Sequence, residues 1–132
     1  MPTLFEKIRL LKGLLSQDYA YAGPFSATVD LTQRCNLQCP GCYEHSPILR
    51  QYRVKDQRKL KDISVTLFDK VCGQLREIGT REINIIGYGE PLLHPEFVKC
   101  LEIAKNTGAA VRVITNGTRI SNTSALGHSG SR

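Results

Sequence analysis

Residues 31–42 read Leu-Thr-Gln-Arg-Cys-Asn-Leu-Gln-Cys-Pro-Gly-Cys, and they place three cysteines, Cys35, Cys39 and Cys42, within eight residues. Three residues separate the first two cysteines, and two residues separate the second from the third. Thiolates are soft ligands that favour zinc or iron–sulfur clusters, and three of them on one short loop can reach three corners of a cubane. The stretch therefore predicts a metal site, and a cluster bound in this way would keep one iron without a protein ligand.

Zinc is the competing interpretation of the same stretch. His45 lies three positions after Cys42 and could complete a tetrahedral Cys3His site. The spacing of these residues does not separate zinc from a cluster. The chain has five cysteines, an odd number that suits a metal better than disulfides. The other two, Cys72 and Cys100, fall on the apolar faces of predicted helices and are expected to pack in the core.

A strand and a helix are predicted upstream of the cysteines. Residues 25–31 have the short, partly β-branched character of a strand, and Gly23 and Pro24 break the pattern before it. Apolar residues recur at helical spacing before this break, as Leu4, Ile8, Leu11 and Leu15. We expect this N-terminal helix to pack on the main domain, because its charges are mixed rather than uniformly basic as they would be at a membrane surface.

Helices and strands alternate downstream of the cysteines. One helix is predicted from an N-cap at Thr66 to Gly79, and another from Pro95 to Gly108. Residues 82–86 and 110–114 are predicted strands, and the first is expected to be buried on both sides of a parallel sheet. Ligands of such sheets collect at the carboxyl ends of the strands, where the cysteine loop and the loop 87–94 both lie. The two helices are predicted to bury the apolar faces Leu67, Phe68, Val71, Cys72, Leu75 and Ile78, and Phe97, Cys100, Leu101 and Ala104.

Three segments in this order resemble the radical S-adenosylmethionine (SAM) superfamily. The first is the CxxxCxxC loop after a short strand. Residues 86–92, Ile-Gly-Tyr-Gly-Glu-Pro-Leu, are similar to the family's Gly-Gly-Glu segment, and residues 114–118, Ile-Thr-Asn-Gly-Thr, are similar to the end of its third strand. The sequence departs from the family at Tyr88, where the triad usually has its first glycine, and at Gly41, where an aromatic residue is common.

The resemblance implies a [4Fe–4S] cluster held by Cys35, Cys39 and Cys42, with SAM chelating the open iron. In this family one electron from the reduced cluster cleaves SAM to methionine and a 5′-deoxyadenosyl radical, which abstracts hydrogen from a substrate. An electron donor such as a flavodoxin or a ferredoxin is implied as a partner. The resemblance assigns cofactor contacts to four further residues: Gly89 and Glu90 at the methionine amino group, Tyr43 near the adenine, and Asn116.

The implied fold is α/β, a truncated partial (β/α)6 TIM-like barrel of which the chain supplies three strand–helix units. Residues 1–24 are assigned to an N-terminal helical lead-in, residues 25–118 to the partial core, and residues 119–132 to a tail expected to be disordered. A radical intermediate needs exclusion of water, so we expect half a barrel to turn over inefficiently by itself. A second chain that completes the barrel and an inactive truncated remnant are the alternatives that follow.

Composition and charge fit a globular, cytoplasmic protein. The 132 residues are 41% hydrophobic, and no stretch approaches the roughly 20 apolar residues that a membrane span needs. Much of the formal charge of +6 comes from one basic run. We interpret this run as a solvated loop and not as a nucleic-acid-binding segment, because Tyr52 is the one aromatic residue within it that could stack on a base. Nucleic-acid binding is therefore expected only if the chain is a small zinc module. The basic run comprises Arg50, Arg53, Lys55, Arg58, Lys59 and Lys61.

Overall fold

The computed structural model describes residues 3–16, 18–19, 21–49 and 61–120 of the chain. Its sheet has three parallel strands in the order β1 (Ser26–Val29), β2 (Glu82–Ile85) and β3 (Ala110–Val113). Helix α1 (Leu4–Ser16) precedes the sheet, α2 (Val65–Glu77) lies between β1 and β2, and α3 (Phe97–Asn106) lies between β2 and β3. The α/β fold with a parallel sheet is thereby confirmed. Residues 121–132 of the predicted tail 119–132, and residues 50–60 of the basic run that ends at Lys61, lie outside the described residues.

One face of the sheet is apolar and the other is polar. In β2, Ile83 and Ile85 are fully buried, whereas Glu82 and Asn84 are only partly buried. Asn84 donates to Ser26 Oγ on β1 at 2.7 Å, and Arg112 on β3 forms an ion pair with Glu82 at 3.1 Å. The prediction that β2 is buried on both sides is wrong. Successive side chains of a strand point to opposite faces, so Ile83 and Ile85 lie on one face and Glu82 and Asn84 on the other. The third isoleucine, Ile86, follows the end of the strand.

The apolar face of the sheet and two helices form the core. Side chains from α2 and α3 pack against each other, and Cys72 and Cys100 lie among them, as predicted. Burial is the main cause that raises the pKa of Cys72 to about 11, and it also raises the pKa of Cys100. Both thiols therefore act as small apolar groups. The buried core comprises Leu31, Phe68, Cys72, Ile83, Ile85, Phe97, Cys100, Leu101 and Ala104.

The structure corrects the starts of two helices. Ser64, and not Thr66, caps α2, since its hydroxyl accepts a hydrogen bond from the backbone N–H of Leu67 at 3.2 Å. Helix α3 begins at Phe97, so Pro95 precedes the helix instead of occupying its first turn. The predicted helix ends are confirmed, because Gly79 and Gly108 adopt φ angles of 82° and 81° directly after the C-cap residues of α2 and α3.

Helix α1 turns its apolar residues towards solvent. Leu4, Ile8, Leu11 and Leu15 are 75%, 55%, 57% and 77% exposed, so the prediction that this face packs on the domain is wrong. The described contacts come from the other flank, where Arg9 donates to the backbone oxygen of Tyr21 at 2.5 Å and the Lys12 ammonium lies 4.5 Å from the centre of the Tyr21 ring. Among the described residues, no helix is long and apolar enough to cross a membrane.

Two neighbouring residues of α2 test the assignment of the core. Phe68 is fully buried, whereas Leu67, which was predicted to share its face, is 51% exposed. We expect Phe68→Ala to lower the free energy of unfolding by about 3–5 kcal/mol, because it removes a buried aromatic ring and leaves a cavity. The matched control Leu67→Ala should change it by no more than about 0.5 kcal/mol in the same urea titration. Equal losses in both variants would contradict the packing described here.

Candidate functional site

The cysteine loop follows β1 at the carboxyl edge of the sheet. Cys35 and Cys42 are partly buried, Cys39 is exposed, and all three are free thiols. The loop is closed by a turn in which the N–H of Cys42 donates to the carbonyl of Cys39 at 3.0 Å. Ser46, which the sequence analysis did not single out, is fully buried, and its hydroxyl donates to the carbonyl of Pro40 at 2.5 Å. The three thiols are thus presented on a short, hydrogen-bonded loop.

Backbone amides already point at two of the sulfur atoms. The N–H of Leu37 donates to Cys35 Sγ at 3.5 Å, and the N–H of His45 donates to Cys42 Sγ at 3.3 Å. Such N–H groups stabilise the negative charge of thiolates that bind iron–sulfur clusters. Among the described residues, no three His, Cys, Asp or Glu side chains gather closely enough to hold one metal ion.

The imidazole of His45 contacts the loop after β2. Its Nε2 lies 2.9 Å from the carbonyl oxygen of Tyr88, 43 residues further along the chain. A carbonyl oxygen only accepts hydrogen bonds, so Nε2 carries the proton of the contact, whereas Nδ1 keeps a lone pair. The contact therefore occupies Nε2, but not Nδ1, of the histidine that the zinc interpretation requires.

Two glycines allow the end of β2 to approach the cysteine loop. A methyl group on Gly89 would collide with the backbone of Thr32 and Arg34, and one on Gly87 would collide with the carboxyl group of Asp30. The close approach at Gly89 is therefore between two loops of the protein. The next residue, Glu90, donates its N–H to the carbonyl of Arg34 at 2.8 Å.

The carboxylate of Glu90 is buried and fully engaged. The residue is only 2% exposed. One oxygen, Oε1, accepts from the Thr115 hydroxyl at 2.6 Å and from the N–H of Leu92 at 3.0 Å, and Oε2 accepts from the N–H of Asn116 at 2.7 Å. This side chain links the carboxyl end of β2 to that of β3.

Asp30 forms a second link, between β1 and β2, that the sequence analysis missed. Its two carboxylate oxygens each accept a backbone N–H at 3.3 Å, one from Thr32 and the other from Tyr88. Burial raises the pKa of Asp30, and these two hydrogen bonds only partly oppose the shift. Tyr88, the residue that replaces the family's first glycine, is therefore accommodated, with its side chain 54% exposed.

A third link anchors the start of the cysteine loop to the segment before α2. Arg34 forms an ion pair with Asp62 at 2.7 Å and donates to the carbonyl of Leu93 at 3.0 Å, while the Thr32 hydroxyl donates to Asp62 at 2.6 Å. Burial opposes ionisation of Asp62, but the hydrogen bond from Thr32 and the charge of Arg34 hold its pKa below the usual range. Nothing in the local sequence around Asp62 indicates this pairing.

The remaining predicted cofactor residues lie in the same region. Asn116, three residues after the end of β3, donates through its side-chain amide to Asn36 in the cysteine loop at 2.9 Å. Tyr43 directly follows Cys42, and its side chain is 60% exposed. The carboxyl edge of the sheet thus brings together the cysteine loop, the Gly89–Glu90 pair and Asn116, which lie up to 81 residues apart in the chain.

Several proteins of known sequence are similar to this chain. The antilisterial bacteriocin subtilosin biosynthesis protein AlbA of Bacillus subtilis is 35% identical over 96 residues, which are 72% of this chain and 19% of that protein. A PqqA peptide cyclase of Gluconobacter oxydans is 28% identical over 94 residues, 71% of this chain and 24% of the cyclase. The chain therefore spans about a fifth to a quarter of the length of these relatives.

A solved structure supports the same fold. The crystal structure of BtrN in complex with AdoMet and 2-DOIA matches 84% of this chain and 49% of its own, with a TM-score of 0.59 and 20% sequence identity. The partial TIM-like barrel predicted from the sequence is consistent with this likeness. The family model of the radical SAM superfamily matches residues 29–127, which include the whole cysteine loop and all three described strands except the first residues of β1. On this match, the chain belongs to the radical SAM superfamily.

Proposed function

We propose that this chain binds a [4Fe–4S] cluster through Cys35, Cys39 and Cys42, and SAM at the iron that these cysteines leave open. The observation that carries the proposal is the set of three thiols on one hydrogen-bonded loop at the carboxyl edge of a parallel sheet. When bound, the cluster would supply the electron for reductive cleavage of SAM to a 5′-deoxyadenosyl radical. Membership of the superfamily supports this general chemistry.

The chain's own residues would bind and orient the cofactors. The carboxylate of Glu90 already accepts three hydrogen bonds, and its N–H donates to the Arg34 carbonyl. We therefore propose that Gly89 and Glu90 contact the methionine amino group of SAM through their backbone carbonyl oxygens, each of which has two lone pairs. We propose that the ring of Tyr43, which is exposed and next to Cys42, packs on the adenine. We propose that Asn116 belongs to the same cofactor site, next to the cysteine loop that its side chain contacts.

We propose the cofactor chemistry alone and no substrate, because the similar proteins carry different names. One relative is named a peptide cyclase, another a protein of bacteriocin biosynthesis, and the solved structure holds 2-DOIA. Substrate contacts in radical enzymes of this kind are expected from segments beyond the three strands described here. We also propose a flavodoxin or ferredoxin as the electron donor, a cytoplasmic location, and a second chain that completes the barrel.

Cysteine variants test the proposed cluster directly. After anaerobic reconstitution, the wild-type chain should hold about four iron and four sulfide ions. Cys35→Ala, Cys39→Ala and Cys42→Ala should each lose most of this iron, because one corner of the cluster loses its ligand. Cys72→Ala is the matched control, since that thiol is buried in the core, and it should keep the wild-type iron content. Equal loss in all four variants, or no iron in the wild type, would refute the proposal.

His45 separates the cluster from the zinc alternative. Because its Nε2 is engaged by the Tyr88 carbonyl, we expect His45→Ala to leave the reconstituted iron and sulfide content unchanged. If the chain were a Cys3His zinc module, the same substitution would abolish binding of one zinc per chain. Metal analysis by mass spectrometry after reconstitution with iron and sulfide, and separately with zinc, distinguishes the two.

Glu90 should matter for stability even in the metal-free protein. Glu90→Gln replaces one acceptor oxygen with an NH2 group, which would face a donor of Thr115, Leu92 or Asn116 in a buried site. We expect a loss of about 1–3 kcal/mol in the free energy of unfolding, measured by urea denaturation. Glu102→Gln, the same change on the exposed side of α3, should cost less than about 0.5 kcal/mol. An unchanged free energy of unfolding in Glu90→Gln would show that these hydrogen bonds are not needed for stability.

A further inference from the structure

Three polar side chains at the carboxyl edge form a closed ring of hydrogen bonds. Asn116 Nδ2 donates to Asn36 Oδ1 at 2.9 Å, Asn36 Nδ2 donates to the Thr118 hydroxyl at 2.8 Å, and that hydroxyl donates to Asn116 Oδ1 at 2.7 Å. Each side chain in the ring donates once and accepts once. The ring joins the cysteine loop to the segment after β3.

The ring fixes the direction of the Asn116 amide. Its Oδ1 also accepts the backbone N–H of Thr118 at 3.0 Å, so both lone pairs of this oxygen are used. One proton of Nδ2 goes to Asn36, and Nδ2 also lies 4.0 Å from Cys35 Sγ, within reach of a long N–H···S contact. The sulfur of Cys35 is therefore within reach as an acceptor for the second proton of the amide.

The main chain holds Asn116 in the same place independently of its side chain. Its backbone N–H donates to the buried carboxylate of Glu90 at 2.7 Å, and the following Gly117 has a φ angle of 77°. A substitution of the Asn116 side chain therefore leaves this main-chain anchor intact. On the other side, Cys35 Sγ accepts the backbone N–H of Leu37 at 3.5 Å.

We infer that Asn116 is a positioning residue for Cys35. The side-chain amide of Asn116 holds the sulfur through an N–H···S contact, and Asn36 and Thr118 orient this amide. The inference rests on the proposed function in that Cys35 is a cluster ligand, and it adds a residue that controls one corner of that cluster. Hydrogen bonds to ligand sulfurs stabilise the more negative, reduced cluster and so raise its reduction potential. Asn116 contributes to the potential without binding iron.

The contact itself is tested in the metal-free, reduced protein by NMR. Cys35→Ala removes the acceptor, so the side-chain amide protons of Asn116 should shift upfield while the backbone resonances of the three strands stay in place. Cys39→Ala is the matched control and should leave the Asn116 side-chain resonances unchanged. An Asn116 signal that is insensitive to Cys35→Ala, or that responds equally to both variants, overturns the inference. This result does not depend on whether a cluster assembles.

The consequence for the cluster is tested by redox titration of the reconstituted protein. Asn116→Asp removes both donor protons of the side-chain amide. We expect the equilibrium constant for reduction of the cluster to fall by up to tenfold, which for a one-electron couple shifts the reduction potential by about 59 mV to more negative values. Asn36→Asp adds the same charge next to Cys35 but keeps the acceptor for Asn116 Nδ2, so its shift should be smaller. Equal shifts in the two variants would assign the effect to charge alone and overturn the positioning role. A wild-type protein without iron would refute the proposed function, while the NMR result would still decide the contact.

Discussion

The buried carboxylate of Glu90 is the interaction on which the arrangement of the site depends. A carboxylate at 2% exposure is costly unless hydrogen bonds replace its water, and here two backbone N–H groups and one hydroxyl do so. Two of these donors, from Thr115 and Asn116, belong to the end of β3, and the N–H of Glu90 itself binds the Arg34 carbonyl just before the first cysteine. One residue thus fixes the end of β2, the end of β3 and the start of the cysteine loop relative to one another.

Around this residue, two aspartate side chains make further contacts that hold the loops of the site together. Asp30 accepts backbone N–H groups from the loops after β1 and β2, and Asp62 binds Arg34 and Thr32 in front of the cysteines. The apolar core on α2 and α3 supports the sheet from one side only. The polar groups of the carboxyl edge thus satisfy each other, and the three cysteines lie on a hydrogen-bonded loop next to them. Preorganised ligands lower the cost of assembling a metal centre.

Local sequence patterns predicted the elements and the cysteine loop, because strands, helix ends and metal-ligand spacing are encoded by nearby residues. They failed where distant residues decide the outcome. The apolar period of α1 indicated a packed helix, but its period does not say which face meets the domain. The isoleucines of β2 suggested burial on both sides, although Asn84 places a polar group on the second face. The pairing of Asp62 with Arg34 and the ring of Asn36, Asn116 and Thr118 join segments far apart in sequence, which no local pattern reveals.

The family resemblance indicated three segments, and the structure brings all three to the carboxyl edge and adds physical reasons for their residues. Gly89 is required by the backbone of Thr32 and Arg34, and Glu90 holds strands together. The most direct measurement of the central claim is electron paramagnetic resonance of the anaerobically reconstituted and reduced protein, recorded with and without SAM. The account predicts the signal of a reduced [4Fe–4S] cluster whose g values change when SAM binds the open iron. A protein without such a signal, or a signal that is identical with and without SAM, would contradict it.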